Sequence, residues 1–232
     1  MSTGEEKRTA LVPVEPTALT RVGARSLAGR ASQDLRIMEE AKDWLRKGKE
    51  LAERAGDKFT WAKTDQERQD DEEGFRCFGR GHELSPSNPE IQYWLARAYH
   101  WGFGVGENPV KASALYLRAA ALGYCEAQFS LGNQYSGHEV SQWAEFNCEL
   151  AVRWYRAAAA QGHAKAQWML GDCYAFGLGV QQDDDEAIAW ALKASNQGDE
   201  GGQRLLAALE SRKHDGKPLN VLGYSPEIGY RQ

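Results

Sequence analysis

The residues able to do chemistry are few, and their spacing argues against most of what they could do. His82, His100, His138, His163 and His214 are the imidazoles. None sits in a His-Glu-x-x-His pattern, and none has a cysteine or carboxylate at a ligand spacing, so a zinc centre is not predicted. Cys77, Cys125, Cys148 and Cys173 form no Cys-x-x-Cys pair. They fall at different phases of the repeats, so they read as small, partly buried apolar residues in a reducing compartment rather than as a disulfide frame. Asp183-Asp184-Asp185 lacks the alternation of a calcium loop, and three carboxylates ahead of a helical run are better placed to cap it and oppose its dipole. Gly102-Phe103-Gly104 and Gly177-Leu178-Gly179 lack the preceding strand and the lysine of phosphate-binding loops. No nucleophile-elbow motif is present. No catalytic residue, metal or cofactor is predicted, and the chain reads as a non-enzyme.

Composition sets the class. The 232 residues are 42% hydrophobic and 26% charged, as in ordinary soluble proteins. A net charge of −5 has the wrong sign for a whole-chain nucleic-acid binder, which must displace counterions from phosphate. No apolar run reaches membrane-spanning length. No apolar stretch of signal-peptide length follows the charged first residues, which predicts a cytoplasmic location.

The elements that position these residues come from an internal repeat. Glu90 to Tyr99, Glu126 to Tyr135 and Lys165 to Tyr174 align at offsets of 36 and 39, and a fourth start, with Gly202 in the place of Ala166, follows 36 later. Each is followed by a second helical pattern, Ala119–Gly123, Ala158–Gly162 and Ala194–Gly198. Glycine just past a helical run is the expected C-terminal cap. Leucine and tyrosine four apart, as in Leu131 and Tyr135, share one helix face. The small residue between them, Ala96, Gly132 or Gly171, admits a paired helix. One such pair cannot bury its apolar face alone, so neighbours must stack.

These residues resemble the Sel-1-like repeat family, a relative of the tetratricopeptide repeats. Tyr174-Ala175-Phe176-Gly177-Leu178-Gly179-Val180 carries the middle of its pattern, Trp101-Gly102-Phe103-Gly104-Val105 repeats it, and Trp154-Tyr155-Arg156-Ala157-Ala158 carries its end. The resemblance implies an all-α, right-handed α/α superhelical solenoid. The repeats are expected at 90–125, 126–164 and 165–199, with a partial unit at 200–210. Gly74, Phe78, Gly81 and Pro86, with Trp44, Gly48 and Leu51, suggest a tetratricopeptide-like capping repeat over 34–89. Its acidic run Asp70–Glu73 is expected near the start of its second helix. Residues 1–33 read as disordered or peptide-like, and 211–232 as a non-helical tail whose Val221, Leu222, Tyr224, Ile228 and Tyr230 have apolar surface to dock.

The resemblance also implies protein–protein interaction, as an adaptor or scaffold in a bacterial type of regulatory, signalling or assembly complex. The first helix of each pair should line a concave groove. Tyr93, Phe129 and Trp168 then form one row, Arg97, Asn133 and Asp172 a second, and Trp101 and Phe176 extend the surface. Aromatic and arginine side chains are the usual hot-spot types. The competing expectation is that such aromatics pack against the next repeat, and Trp154 and Trp190 read as core on that ground. The second repeat replaces Gly-x-Gly-Val with a longer loop, where His138 and Trp143 could touch a partner or, less economically, serve an enzyme. A nucleic-acid accessory role would rest on Arg21, Arg25, Arg30, Arg36, Arg46, Lys47 and Lys49 near the N-terminus.

Overall fold

The computed structural model describes the backbone of residues 18–56, 63–137 and 146–215, with side chains from 30 to 213 within those spans. Among the described residues it is entirely helical: α1 (Ala18–Ala55), α2 (Asp65–Leu84), α3 (Pro89–Trp101), α4 (Pro109–Ala121), α5 (Cys125–Ser136), α6 (Cys148–Ala160), α7 (Ala164–Phe176), α8 (Asp184–Ser195) and α9 (Glu200–Asp215). Consecutive helices pack on one another, and α7 also reaches α9, so the core is a continuous strip rather than a ball.

Six of the described helices, α2, α3, α4, α6, α7 and α8, start at a side-chain cap, whereas α5 begins at Tyr124 without one. Asn108, Asn147 and Asp183 hold equivalent positions before α4, α6 and α8, and each side chain accepts from first-turn amides. Their own amides donate to the carbonyls of Tyr99, Tyr135 and Tyr174 at 2.8, 2.9 and 3.0 Å, which closes the turn inside each repeat. Thr64 and Glu67 form a reciprocal capping box before α2. Gly123, Gly162 and Gly198 all take positive φ, as expected of residues ending alanine-rich helices.

Small residues set the spacing within a pair. A Cβ on Gly132 would overlap the Tyr155 ring, and one on Gly48 would overlap Phe78. Tyr116 and Tyr155 are fully buried at matching positions of α4 and α6. Burying a side chain of that size stabilises by roughly 2–3 kcal/mol. Trp154 and Trp190 are partly buried against the cores formed by the neighbouring repeats.

A ladder of buried glutamines links the repeats. Nε2 of Gln128 donates to Ala120 O at 3.1 Å, and that of Gln167 to Ala159 O at 3.2 Å, so each satisfies the carbonyl end of the preceding helix. Their Oε1 atoms accept from Gln161 at 2.8 Å and Gln197 at 2.7 Å. In the first repeat the matching donor position is Leu122, 55% exposed, and Gln92 Oε1 is buried with no protein partner. Leu122→Gln is therefore expected to stabilise by about 1 kcal/mol. The check is an upward shift of the melting temperature by roughly 2–4 °C, and none in a Gln92→Leu background.

Three expectations need correction. Residues 18–33, expected as part of a disordered or peptide-like segment, form the first half of the α1 helix. Alanine, leucine and arginine there favour helix without the apolar period that marks a packed one. The C-terminal boundary also moves, since α9 continues to Asp215. Asp70 and Asp71 do not sit at the start of α2, where Asp65 and Glu67 occupy the first turn. They are buried more than a turn further on and are held by Arg54 at 3.1 Å and Lys63 at 2.8 Å. The apolar tail residues 221–230 lie outside the described residues.

Candidate binding surface

The first predicted row lies at the seams between successive first helices. Tyr93 is half-buried, its ring 5.2 Å from Tyr124 and 5.9 Å from Tyr116. Phe129 stacks on His163 at 4.6 Å. Trp168 covers Gly201, whose Cβ would overlap the indole. Tyr124, His163 and Gly201 stand at the starts of α5, α7 and α9. Each ring thus seals one repeat against the next and offers outward only its remaining edge.

The second row diverges in chemistry. Arg97 holds its guanidinium 4.9 Å from the centre of the Trp94 ring, a cation–π contact. Asn133 accepts from the Tyr155 hydroxyl at 2.9 Å. Asp172 is only 6% exposed. Burial pushes its carboxyl up to about 7, against the opposing hydrogen bond from Trp168. Trp101 is 40% exposed and stacks on His100 at 4.6 Å. Phe176 is half-buried against the Ala175–Ala187–Leu209 cluster. His138 and Trp143 lie outside the described residues.

A cleft of about 290 Å³ opens where α1, α2 and α3 meet. Phe75, Phe78, Trp94 and Phe103 line it, with Arg97, Glu53 and Asp71 as its charged groups. Lys63 closes one side. Its ammonium sits 4.3 Å from the Phe103 ring centre and bonds Asp71, whose carboxyl is nonetheless raised by burial. Of the lining residues only Arg97 was expected at a site. The rest depend on how the turn after α3 folds back onto α2, which no local period encodes. A cue was present in the Phe75 and Phe78 spacing, which puts two rings within one turn of a helix.

All four cysteines are free, and burial pushes the Cys173 thiol up to about 12. No group of three or more His, Cys, Asp or Glu among the described residues could hold a metal. Arg46 pairs with Asp43 and Glu50, Lys47 with Glu73, and Lys49 with Glu90. No helix among the described residues is long and apolar enough to cross a membrane.

The repeat geometry agrees with the comparisons. The Sel1 repeat model matches residues 89–124, 125–163 and 164–199, within one residue of the boundaries read from the sequence. A Sel1 repeat protein from Oxalobacter formigenes superposes with a TM-score of 0.54 at 26% identity, over 64% of this chain and 57% of that one. A protective antigen of uropathogenic Escherichia coli strains displaying an SLR fold gives 0.54 at 29% identity, over 61% and 30%. The chitin synthase regulator SKT5 of Saccharomyces cerevisiae is 34% identical over 133 residues, 53% of this chain and 18% of its own length. Residues 89–199 thus carry three Sel1 repeats, which are generally protein–protein interaction modules. The chain spans under a fifth of the yeast relative and 57% and 30% of the two structures.

Proposed function

We propose that this chain is a non-catalytic adaptor or scaffold that holds a partner protein or peptide along the inner surface formed by its first helices. The observation that carries the reading is the cleft at the mouth of the array, where four aromatic rings and the Arg97 guanidinium converge. An apolar side chain of a partner fits its floor, and Arg97 at its edge suits a carboxylate on the partner. Trp101, exposed one turn beyond Arg97, extends the contact as an aromatic anchor. Tyr93, Phe129 and Trp168 contribute their outward edges while keeping the repeats in register. A regulatory role, as the name of the yeast relative states for that protein, and a cytoplasmic, bacterial setting belong to the same reading.

The test must avoid the seam residues, since a Tyr93/Phe129/Trp168 triple alanine variant would loosen the fold itself. Arg97→Glu with Trp101→Ala changes the half-buried cation at the cleft and the exposed ring beside it instead, with an unchanged melting temperature as the check on folding. Quantitative capture of partners from the native cells should fall at least about tenfold, some 1.4 kcal/mol, for a specific partner. Alanine at Leu117 and Leu192 on the outer helices, both exposed, should change it little. Equal capture by the inner-surface variant and wild type rejects the assigned surface.

A further inference from the structure

We propose that residues 216–232 fold back onto the open end of the array and cover the face of α9 that a second helix covers in each earlier repeat. Leu95, Leu131 and Leu170 are buried on α3, α5 and α7, and so are Ala96, Gly132 and Gly171 beside them. Their cover is α4, α6 and α8, each packed on the helix before it. The matching residues of α9, 36 positions past Leu170 and Gly171, are Leu206 and Ala207. Leu206 is only half-buried, and Ala207 is exposed. Among the described residues α9 packs on α7 and α8, and no later helix packs on it.

The end is apolar on both of its helices. Val152 of α6 is buried in one cluster with Leu170. Its counterpart on α8, Ile188, is half-buried against the same cluster as Leu206. The last unit of a solenoid needs a polar outer face, because no further repeat stacks on it. Ile188, Leu206 and Ala207 do not supply one, so this end calls for a cover.

The chain's own continuation is the best-placed occupant. Lys213 stands where Gly177 ends α7, so α9 runs on to Asp215 instead of turning back. Ion pairs from Arg212 to Asp184 and from Lys213 to Asp185 tie this end of α9 to the start of α8. Ala207 lies only about 12 Å back along the helix from Asp215. The 17 residues that follow can span up to about 55 Å, which is ample reach. They include Leu219, Val221, Leu222, Tyr224, Ile228 and Tyr230, side chains that gain by leaving water. A segment tethered this closely has an effective concentration in the millimolar range, which a competing molecule must exceed. It also carries Lys217 and Arg231 against Glu227, whereas two whole copies, each at −5, repel one another.

Photocrosslinking of the purified full chain tests this. A photoreactive phenylalanine at 207 should join to peptides of 216–232 within one molecule. The yield should be equal at about 1 and about 50 µM, both far below the effective concentration of the tether. Val221→Asp with Leu222→Asp and Tyr224→Asp should lower that yield at least about fivefold. The same triple variant should lower the melting temperature by roughly 2–4 °C, with helicity unchanged. A label at 207 that joins only to a second copy overturns the proposal. So do products that contain no peptide of 216–232, and so does a yield indifferent to the triple variant.

Discussion

Replacing Asp172 by asparagine is expected to stabilise the chain at pH 8 by on the order of 2–4 kcal/mol, and to leave it almost unchanged near pH 4. The equivalent position one repeat earlier is already asparagine, and there the Tyr155 hydroxyl donates to it. In the third repeat the place of Tyr155 is taken by Ala191, and α8 backbone and Leu205 close over the adjoining Gly171. Asp172 is left buried with the Trp168 indole N–H as its donor and no cation paired with it among the described residues. Its carboxyl is raised from 3.8 to about 7 by loss of water. The folded state therefore binds this proton more tightly than the unfolded state does. Stability from this group is full below about pH 4, declines as pH rises, and is lost above pH 7. Asparagine keeps the acceptor for Trp168 and removes the charge. Urea unfolding of both proteins across that range gives the comparison, and a difference independent of pH would contradict the burial argument.

Gly179→Ala is expected to destabilise by about 3 kcal/mol or more. The residue has φ of +68°, and a Cβ there would overlap the Cys148 carbonyl at the start of α6. No flexible side chain can yield, because the obstacle is backbone. Gly104 stands in the same relation to the Asp71 carbonyl of α2. The second glycine of each Gly-x-Gly turn is thus where one repeat's turn docks on the previous repeat's second helix. Gly106→Ala, which meets nothing within 4 Å, is the control and should cost under about 0.5 kcal/mol. Denaturant midpoints separate the two. Equal midpoints would show that the turn relaxes rather than resists.

What could be read from the sequence was whatever recurs. The aligned starts, the alanine-rich second helices and the glycines behind them define the repeat, because each residue type answers a local need repeated at a fixed offset. The glutamine two residues into each start recurs as well, and its role in bridging helix ends becomes apparent only with the preceding helix in place. Features that occur once were harder to read. The burial of Asp172 follows from an alanine nineteen residues away, and the burial of Lys63 from the turn around Phe103 folding over it. The first half of α1 shows the opposite failure. Its alanines, leucines and arginines favour helix, and Leu35 and Met38 are exposed, so a search for core periodicity passes over it. The row of Tyr93, Phe129 and Trp168 was placed correctly on the first helices, yet the same regularity that marked it reflects its seam contacts as much as any partner.

The most direct test of the account places a photoreactive phenylalanine at 97 or 101 on the inner surface, and at Leu117 or Leu192 on the outer helices, in the native cells. Covalent capture of one and the same partner protein from 97 and 101, and not from 117 or 192, is the predicted result. Capture of that partner from the outer positions alone would contradict it.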